Sequence, residues 1–151
     1  MTATNHALTG ALIGLTVSVP LAFVLAVLSH FVLDALPHYG SNDPDSIRLK
    51  KISFEVYLWF DFLLCVSLVV SLRFGNPAFW IVPSICAFLA TSPDLVSANR
   101  YFKVKSNKPW KPSLFSRFAS GIQWFERPIG AAVEIVWFIC AVIILAKIIL
   151  K

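Results

Sequence analysis

Five apolar segments, each ended by proline, glycine or a polar stretch, constrain this chain more than any other feature of its sequence. An α-helix needs roughly 20 predominantly apolar residues to cross about 30 Å of hydrocarbon, and the longer segments approach that length. Charged residues make up only 14% of the chain, whereas a soluble domain carries about 25%. The chain cannot cover a globular surface with polar groups, so we predict an all-α integral membrane protein.

The breaks between the apolar segments predict one membrane domain over residues 1–151, organised as a bundle of about five transmembrane helices. The predicted helices cover residues 5–19, 20–36, 54–73, 77–91 and 128–150. Pro93 marks the end of the fourth helix, because proline lacks the N–H that a helix interior requires. Residues 113–126 carry apolar side chains at helical spacing, which predicts a short amphipathic helix at the membrane surface.

The first two predicted helices are short and meet at Pro20, which indicates a helical hairpin. Each has about 15 residues, so the hairpin either crosses a thin part of the membrane or re-enters from one face. Gly10 and Gly14 lie one turn apart in the first helix. Small residues at this spacing favour close contact between membrane helices.

Lysine and arginine are distributed unevenly between the two sides of the predicted bundle. The N-terminus, the loop after the second helix and the stretch before the last helix share one side, which holds ten of the 13 basic residues. Basic loops stay in the cytoplasm, so we expect a multi-pass protein of the cell inner membrane whose N-terminus is cytoplasmic. This asymmetry also accounts for the net charge of +5. We expect membrane lipids as partners and no nucleic acid.

Histidine and aspartate gather at the predicted cytoplasmic ends of the helices. His30 and Asp34 are four residues apart and therefore lie on one face of the second helix. Imidazole and carboxylate together are common ligands of Zn, Mn or Fe. We therefore predict a divalent metal ion. The candidate ligands are His6, His30, Asp34, His38 and Asp94.

Asp61 and Glu134 lie about two turns into the third and fifth predicted helices, roughly 10 Å from their cytoplasmic ends at 1.5 Å per residue. Ionisable groups within membrane helices are costly and usually mark a functional interior. We predict both as catalytic residues, each acting as a further metal ligand or as a general base. The alternative for every residue of this polar set is a helix cap or a structural hydrogen bond.

Three motifs carry a resemblance to a known family. The sequences NHALTGALIG, LSHFVLDALPHYG and TSPDL, in this order, resemble the YdjM-like family of small bacterial inner-membrane proteins, which are described as membrane-bound, metal-dependent hydrolases. The resemblance implies a metal site and a hydrolytic activity. The matching positions are His6, Ser29, His30, Asp34, His38 and Asp94. Relatives often carry a further histidine in an FH-x-x-IQ context, where this chain reads RFASGIQWFERPIG and has no histidine.

Three functions are compatible with these residues. The first is a metal-dependent hydrolase at the cytoplasmic face that acts on a phospholipid or an isoprenoid phosphate. The second is a small cation or proton transporter that uses Asp61 and Glu134 within the membrane; a chain of this size would work as an oligomer. The third is a non-enzymatic membrane scaffold whose polar cluster only joins the helix ends. The sequence leaves the substrate and the metal open.

Overall fold

The computed structural model describes residues 1–40, 47, 49–75 and 78–149. Its helices are α1 (Ala3–Thr16), α2 (Val19–Ala35), α3 (Ile52–Gly75), α4 (Ile81–Lys105), α5 (Leu114–Ile122) and α6 (Gly130–Ile149). In these ranges the only extended pairing is an isolated bridge between His38 and Glu126. Residues 77 and 150, at the ends of two predicted helices, lie outside the described residues. The predicted all-α class is confirmed for the part of the chain that is described.

Three of the helices are long and apolar enough to cross a membrane: α3 with 24 residues, α4 with 25 and α6 with 20. At 1.5 Å per residue each spans about 30 Å or more. The helices of the predicted hairpin are shorter, 14 residues in α1 and 17 in α2. The structure therefore supports a helical membrane protein with three helices of spanning length, and the predicted total of five crossings stays a prediction.

α1 lies at the centre of the bundle and contacts α2, α3, α4 and α6. Its first turns are buried and include the polar side chains of Thr4, Asn5 and His6. The surrounding helices expose large apolar side chains, among them Trp59 and Ile143. A soluble protein keeps such residues mostly inside. Polar groups inside and apolar groups outside are the arrangement expected of a bundle surrounded by lipid.

The predicted contact face at Gly10 and Gly14 packs against α4. A Cβ atom on Gly10 would lie 2.8 Å from the Cβ of Ala90, and one on Gly14 would lie 2.6 Å from the Cα of Pro83. Real Cβ atoms essentially never approach other atoms so closely, so only glycine permits this separation of the two backbones. The prediction that these glycines make a close helix contact is therefore confirmed.

We predicted that the fourth helix ends before Pro93, and this prediction is wrong. The helix continues through Pro93 to Lys105. A proline inside a helix leaves the carbonyl four residues earlier without an N–H donor. Here the Ser92 hydroxyl donates a hydrogen bond of 2.8 Å to that carbonyl, the one of Leu89. Membrane helices tolerate proline when a Ser or Thr side chain satisfies the freed group in this way. The longer helix carries the basic residue Arg100 to the polar end of the bundle.

The helix predicted at residues 113–126 is observed as a shorter element, α5 (Leu114–Ile122), and its place at the membrane surface stays a prediction. Ser113 caps it by accepting a hydrogen bond of 3.1 Å from the backbone N–H of Ser116. None of its residues is buried. One face nevertheless packs on α2, where the Phe118 ring lies 5.5 Å from the ring of Phe31 between centroids. α5 therefore lies across the polar end of the bundle.

Candidate metal centre

His6, His30 and Asp34 meet in the interior and form the three-residue cluster. His6 Nε2 lies 3.1 Å from Asp34 Oδ1, and His30 Nε2 lies 3.3 Å from Asp34 Oδ2. The two imidazole rings stack with their centroids 4.1 Å apart. All three residues are at most 3% exposed. One ligand atom from each lies within 4.8 Å of the others, so the group could hold a metal ion.

The hairpin brings the cluster together. Only Val17 and Ser18 separate α1 from α2, so α2 runs back along α1 and its last turn meets the first turns of α1. His6 is in the second turn of α1, whereas His30 and Asp34 occupy the final turns of α2. The spacing of four residues that predicts a shared face for His30 and Asp34 is confirmed by their contact.

A carbonyl of α4 sets the orientation of His30. Its Nδ1 lies 2.9 Å from the backbone oxygen of Ala90. A carbonyl oxygen can only accept, so Nδ1 carries a proton, and in its neutral form the ring presents an unprotonated Nε2 toward Asp34. Metal-binding histidines usually donate their second ring nitrogen to a carbonyl or a carboxylate in this manner. A neutral His30 ring in this orientation could donate the lone pair of Nε2 to a cation.

The distances within the cluster can be compared with those of a metal site. Tetrahedral zinc with bonds of about 2.1 Å has its ligand atoms about 3.4 Å apart. Asp34 contacts His6 through Oδ1 at 3.1 Å and His30 through Oδ2 at 3.3 Å. One ligand atom from each residue lies within 4.8 Å of the others, so binding of zinc would draw the three side chains together. In addition, His6 Nδ1 is buried without a hydrogen-bond partner among the residues that the structure describes. Such groups are rare in proteins and frequently belong to functional sites.

Asp34 is also contacted by two groups outside the cluster. The amino group of Met1 donates to Oδ1 at 2.6 Å, and the Gln123 amide donates to Oδ2 at 2.9 Å. Sequence reasoning missed both of these contacts. The available signal for Gln123 is its place in the IQ pair of the segment that resembles FH-x-x-IQ.

Asp94 and His38, the other predicted ligands, occupy different positions. Asp94 Oδ1 lies 3.8 Å from His30 Nε2, and its side chain is 42% exposed, so it forms the rim of the site. His38 is buried but directs Nδ1 to the carbonyl of Leu36 at 2.9 Å. Its own carbonyl accepts from Arg127 N at 3.0 Å. The structure does not bring His38 into the three-residue cluster, and its role as a ligand stays a prediction.

Asp61 and Glu134, the predicted catalytic residues, contact the beginning of α1. Asp61 accepts from the backbone N–H groups of Ala3 at 2.8 Å and Thr4 at 2.9 Å. Glu134 accepts from Thr2 N at 3.2 Å and, through its other oxygen, from Tyr39 N at 2.9 Å. The first N–H groups of a helix have no partner within the helix and carry partial positive charge. The observed contacts are those of helix capping, and a catalytic role stays a prediction.

A small pocket adjoins the cluster on the side of α5. Its cavity of about 30 Å³ has Pro93 on its wall. The polar residues that line it are His30, Asp94, Arg100, Ser116, Ser120 and Gln123. The guanidinium of Arg100 lies 5.1 Å from the centroid of the Trp110 ring, which also lines the cavity. The pocket thus connects the edge of the candidate metal centre with a fixed positive charge.

No protein-family model matches this chain, and no significant similarity relates it to curated proteins or to solved structures. The resemblance to the YdjM-like family therefore depends on the quoted motifs alone and stays a prediction. Any functional conclusion has to be argued from the geometry of the site.

Proposed function

We propose that this protein is a membrane-bound, metal-dependent hydrolase of the YdjM-like kind that acts on a phospholipid or an isoprenoid phosphate. The observation that carries the proposal is the orientation of His30, whose Nδ1–H is directed to Ala90 O while Nε2 faces Asp34. One histidine would suffice for a structural hydrogen bond between the helix ends, whereas here the rings of His6 and His30 stack beside one carboxylate. This arrangement favours a cation held by His6, His30 and Asp34.

Each of the chain's own residues has a distinct task in this proposal. A divalent ion in the cluster would supply Lewis acidity and an activated water at neutral pH. Asp34 holds the two histidines in register, and Gln123 fixes its second oxygen. Asp94 lies at the exposed rim next to His30, where its carboxylate can accept the proton of an attacking water. The stacked, buried histidines exclude bulk solvent from the inner side.

The location of the cluster supports a lipid substrate at the cytoplasmic face. It lies at the end of the bundle that carries most of the basic residues, which the charge asymmetry assigns to the cytoplasm. At the same end α5 presents Leu114 and Phe118, which are 84% and 58% exposed. A surface helix with such side chains lies among the lipid headgroups. A lipid phosphate would therefore meet the site without leaving the membrane.

Elemental analysis of detergent-purified protein tests this proposal. We expect about one divalent ion per chain in the wild type and a loss of nearly all metal in His30→Ala. His38→Ala is the comparison variant, because His38 is equally buried but lies outside the cluster. We expect it to keep its metal, and a loss of metal would show that His38 is a ligand as the sequence predicts. Thermal unfolding of each variant shows whether it is folded. A folded wild type that takes up no Zn, Mn or Fe would contradict the proposal.

A non-enzymatic scaffold is the second candidate, and one observation favours it. Asp34 already has four contacts within the protein, from Met1, His6, His30 and Gln123. A carboxylate with this many partners can join helix ends without an ion. The two candidates differ in the effect of metal on stability, since an ion that binds only the folded state raises the melting temperature. For a scaffold, added metal would leave the melting temperature unchanged.

A further inference from the structure

The pocket beside the cluster has the composition of a site for a small anion. Its lining places the Arg100 side chain together with two serine residues of α5, Ser116 and Ser120. An arginine guanidinium is always charged and presents donors that match the oxygens of phosphate. Serine hydroxyls donate to the same oxygens. The volume of about 30 Å³ has room for about two water molecules, which limits the pocket to a small group.

The charged groups around the pocket also determine what it can bind. Asp94 is the acidic residue among those lining it, and its negative charge would repel an anion. Arg100 opposes that charge from the same helix, and the ring of Trp110 lies 5.1 Å from the guanidinium carbon. This aromatic contact restricts the guanidinium. A cation in the neighbouring cluster would add positive charge beside the pocket, so we expect an anion to bind more tightly when the metal is present.

We infer that this pocket is the phosphate subsite of the protein, in which Arg100, Ser116 and Ser120 bind a phosphate group directly beside His30. The inference deepens the proposed function and rests on it for the chemistry that follows binding. The pocket is too small for an apolar tail. A tail would leave along α5, past the exposed side chains of Leu114 and Phe118. The substrate class is therefore a phosphate ester whose apolar part stays in the membrane.

Calorimetric titration with inorganic phosphate tests the subsite on purified, zinc-loaded protein. We expect Arg100→Gln to weaken phosphate binding about tenfold, which corresponds to about 1.4 kcal/mol, while its metal content stays equal to that of the wild type. Arg117→Gln is the matched control. It makes the same charge change on exposed α5 but does not line the pocket, so phosphate binding should be unchanged.

A second titration separates a lipid headgroup from free phosphate. Protein in phosphatidylcholine nanodiscs, with and without phosphatidic acid, is titrated with inorganic phosphate. If the headgroup enters the subsite, phosphatidic acid weakens the apparent binding of inorganic phosphate in the wild type. Equal binding in both nanodiscs would show that the subsite takes free phosphate alone and would overturn the lipid part of the inference.

The outcomes distinguish this inference from the proposed function. Equal phosphate binding by Arg100→Gln and Arg117→Gln, or none by the wild type, overturns the subsite even if metal is bound. Conversely, a wild type that holds no metal but binds phosphate through Arg100 keeps the subsite and contradicts the metal-dependent hydrolase. If Arg100→Gln does not fold, Arg100→Lys keeps the charge without the planar fork. We then expect several-fold weaker binding, and unchanged binding would count against the subsite.

Discussion

The two halves of this bundle are held together by different interactions. In the apolar half, α1, α3, α4 and α6 pack through small and aliphatic side chains such as Ala11, Leu72, Ala87 and Ala141. In the polar half, the backbone N–H groups at the beginning of α1 donate hydrogen bonds to Asp61 and Glu134, and His6 joins the three-residue cluster.

Lipid is as apolar as leucine, so the first kind of packing depends on shape. The second kind places charges where they are costly. Close apolar packing therefore positions the helices. Polar groups kept inside the membrane despite their energetic cost mark the region where a functional site is expected. Ala90 connects the two halves, because its Cβ lies against Gly10 and its carbonyl accepts a hydrogen bond from His30.

The largest loss of stability is expected at Gly10, where α1 packs so closely against α4 that no side chain fits between them. Gly10→Leu would force its side chain into the backbone at Cys86 and the Cβ of Ala90. Overpacking typically costs about 1–3 kcal/mol and sometimes more, so we expect at least about 3 kcal/mol here, measured by thermal unfolding in detergent. Gly121→Leu is the control, since a Cβ there meets no atom within 4 Å. Equal stability of both variants would disprove the close contact.

Asp61→Asn breaks the polar half at the cap of α1. An amide offers one acceptor oxygen, so either Ala3 N or Thr4 N loses its partner. An unsatisfied buried N–H costs about 1–3 kcal/mol, and we expect about 2 kcal/mol of lost stability with the metal retained. The control is Glu55→Gln in the same helix, whose pair with Lys105 is near the surface and should contribute little to stability. Lost activity at full stability would instead support the predicted catalytic role.

Gln123→Ala probes whether the polar half is organised around a cation. It removes the donor to Asp34 Oδ2, and loss of such a partner typically lowers metal affinity about 10- to 100-fold. Competition with a chromophoric chelator measures that affinity. The control is Trp124→Phe, since the exposed neighbour Trp124 does not line the pocket. This variant should have the same metal affinity as the wild type. An unaltered affinity in Gln123→Ala would mean that Asp34 needs no outside support.

The smallest expected effect is that of Asp94→Asn on phosphate binding. Removing a negative charge from the pocket rim should tighten binding of inorganic phosphate by roughly two- to fivefold, corresponding to about 0.5–1 kcal/mol. If Asp94 also accepts the proton of the attacking water, hydrolysis falls while binding improves. Metal analysis should find the same content as in the wild type. A loss of metal in Asp94→Asn would show instead that the carboxylate is a ligand, as the sequence predicts.

Much of this architecture could be predicted from residues that interact locally along the chain. The short hairpin follows from Pro20 and from the length of its two apolar segments. The shared face of His30 and Asp34 follows from the helical period. The close contact of α1 follows from the spacing of Gly10 and Gly14, although that spacing does not say which helix is the partner.

The end of the fourth helix could not be predicted in the same way. Proline normally ends a helix, and only the hydrogen bond from Ser92 to Leu89 compensates for the missing donor. Because this hydrogen bond lets the helix continue past Pro93, Arg100 reaches the pocket about two turns further along. The helix propensity of proline does not include the nearby serine side chain that satisfies the freed carbonyl.

The sequence alone determined the class of protein and the identity of its polar residues, because 14% charge cannot solvate a globular surface and because the helical period relates residues within one helix. Only the tertiary structure decided which polar residues meet. His6 joins His30 and Asp34, while Asp61 and Glu134 hold the start of α1. Contacts between helices depend on how closely their backbones pack, and that distance is set by residues such as Gly10 and Ala90 that carry no polar group themselves.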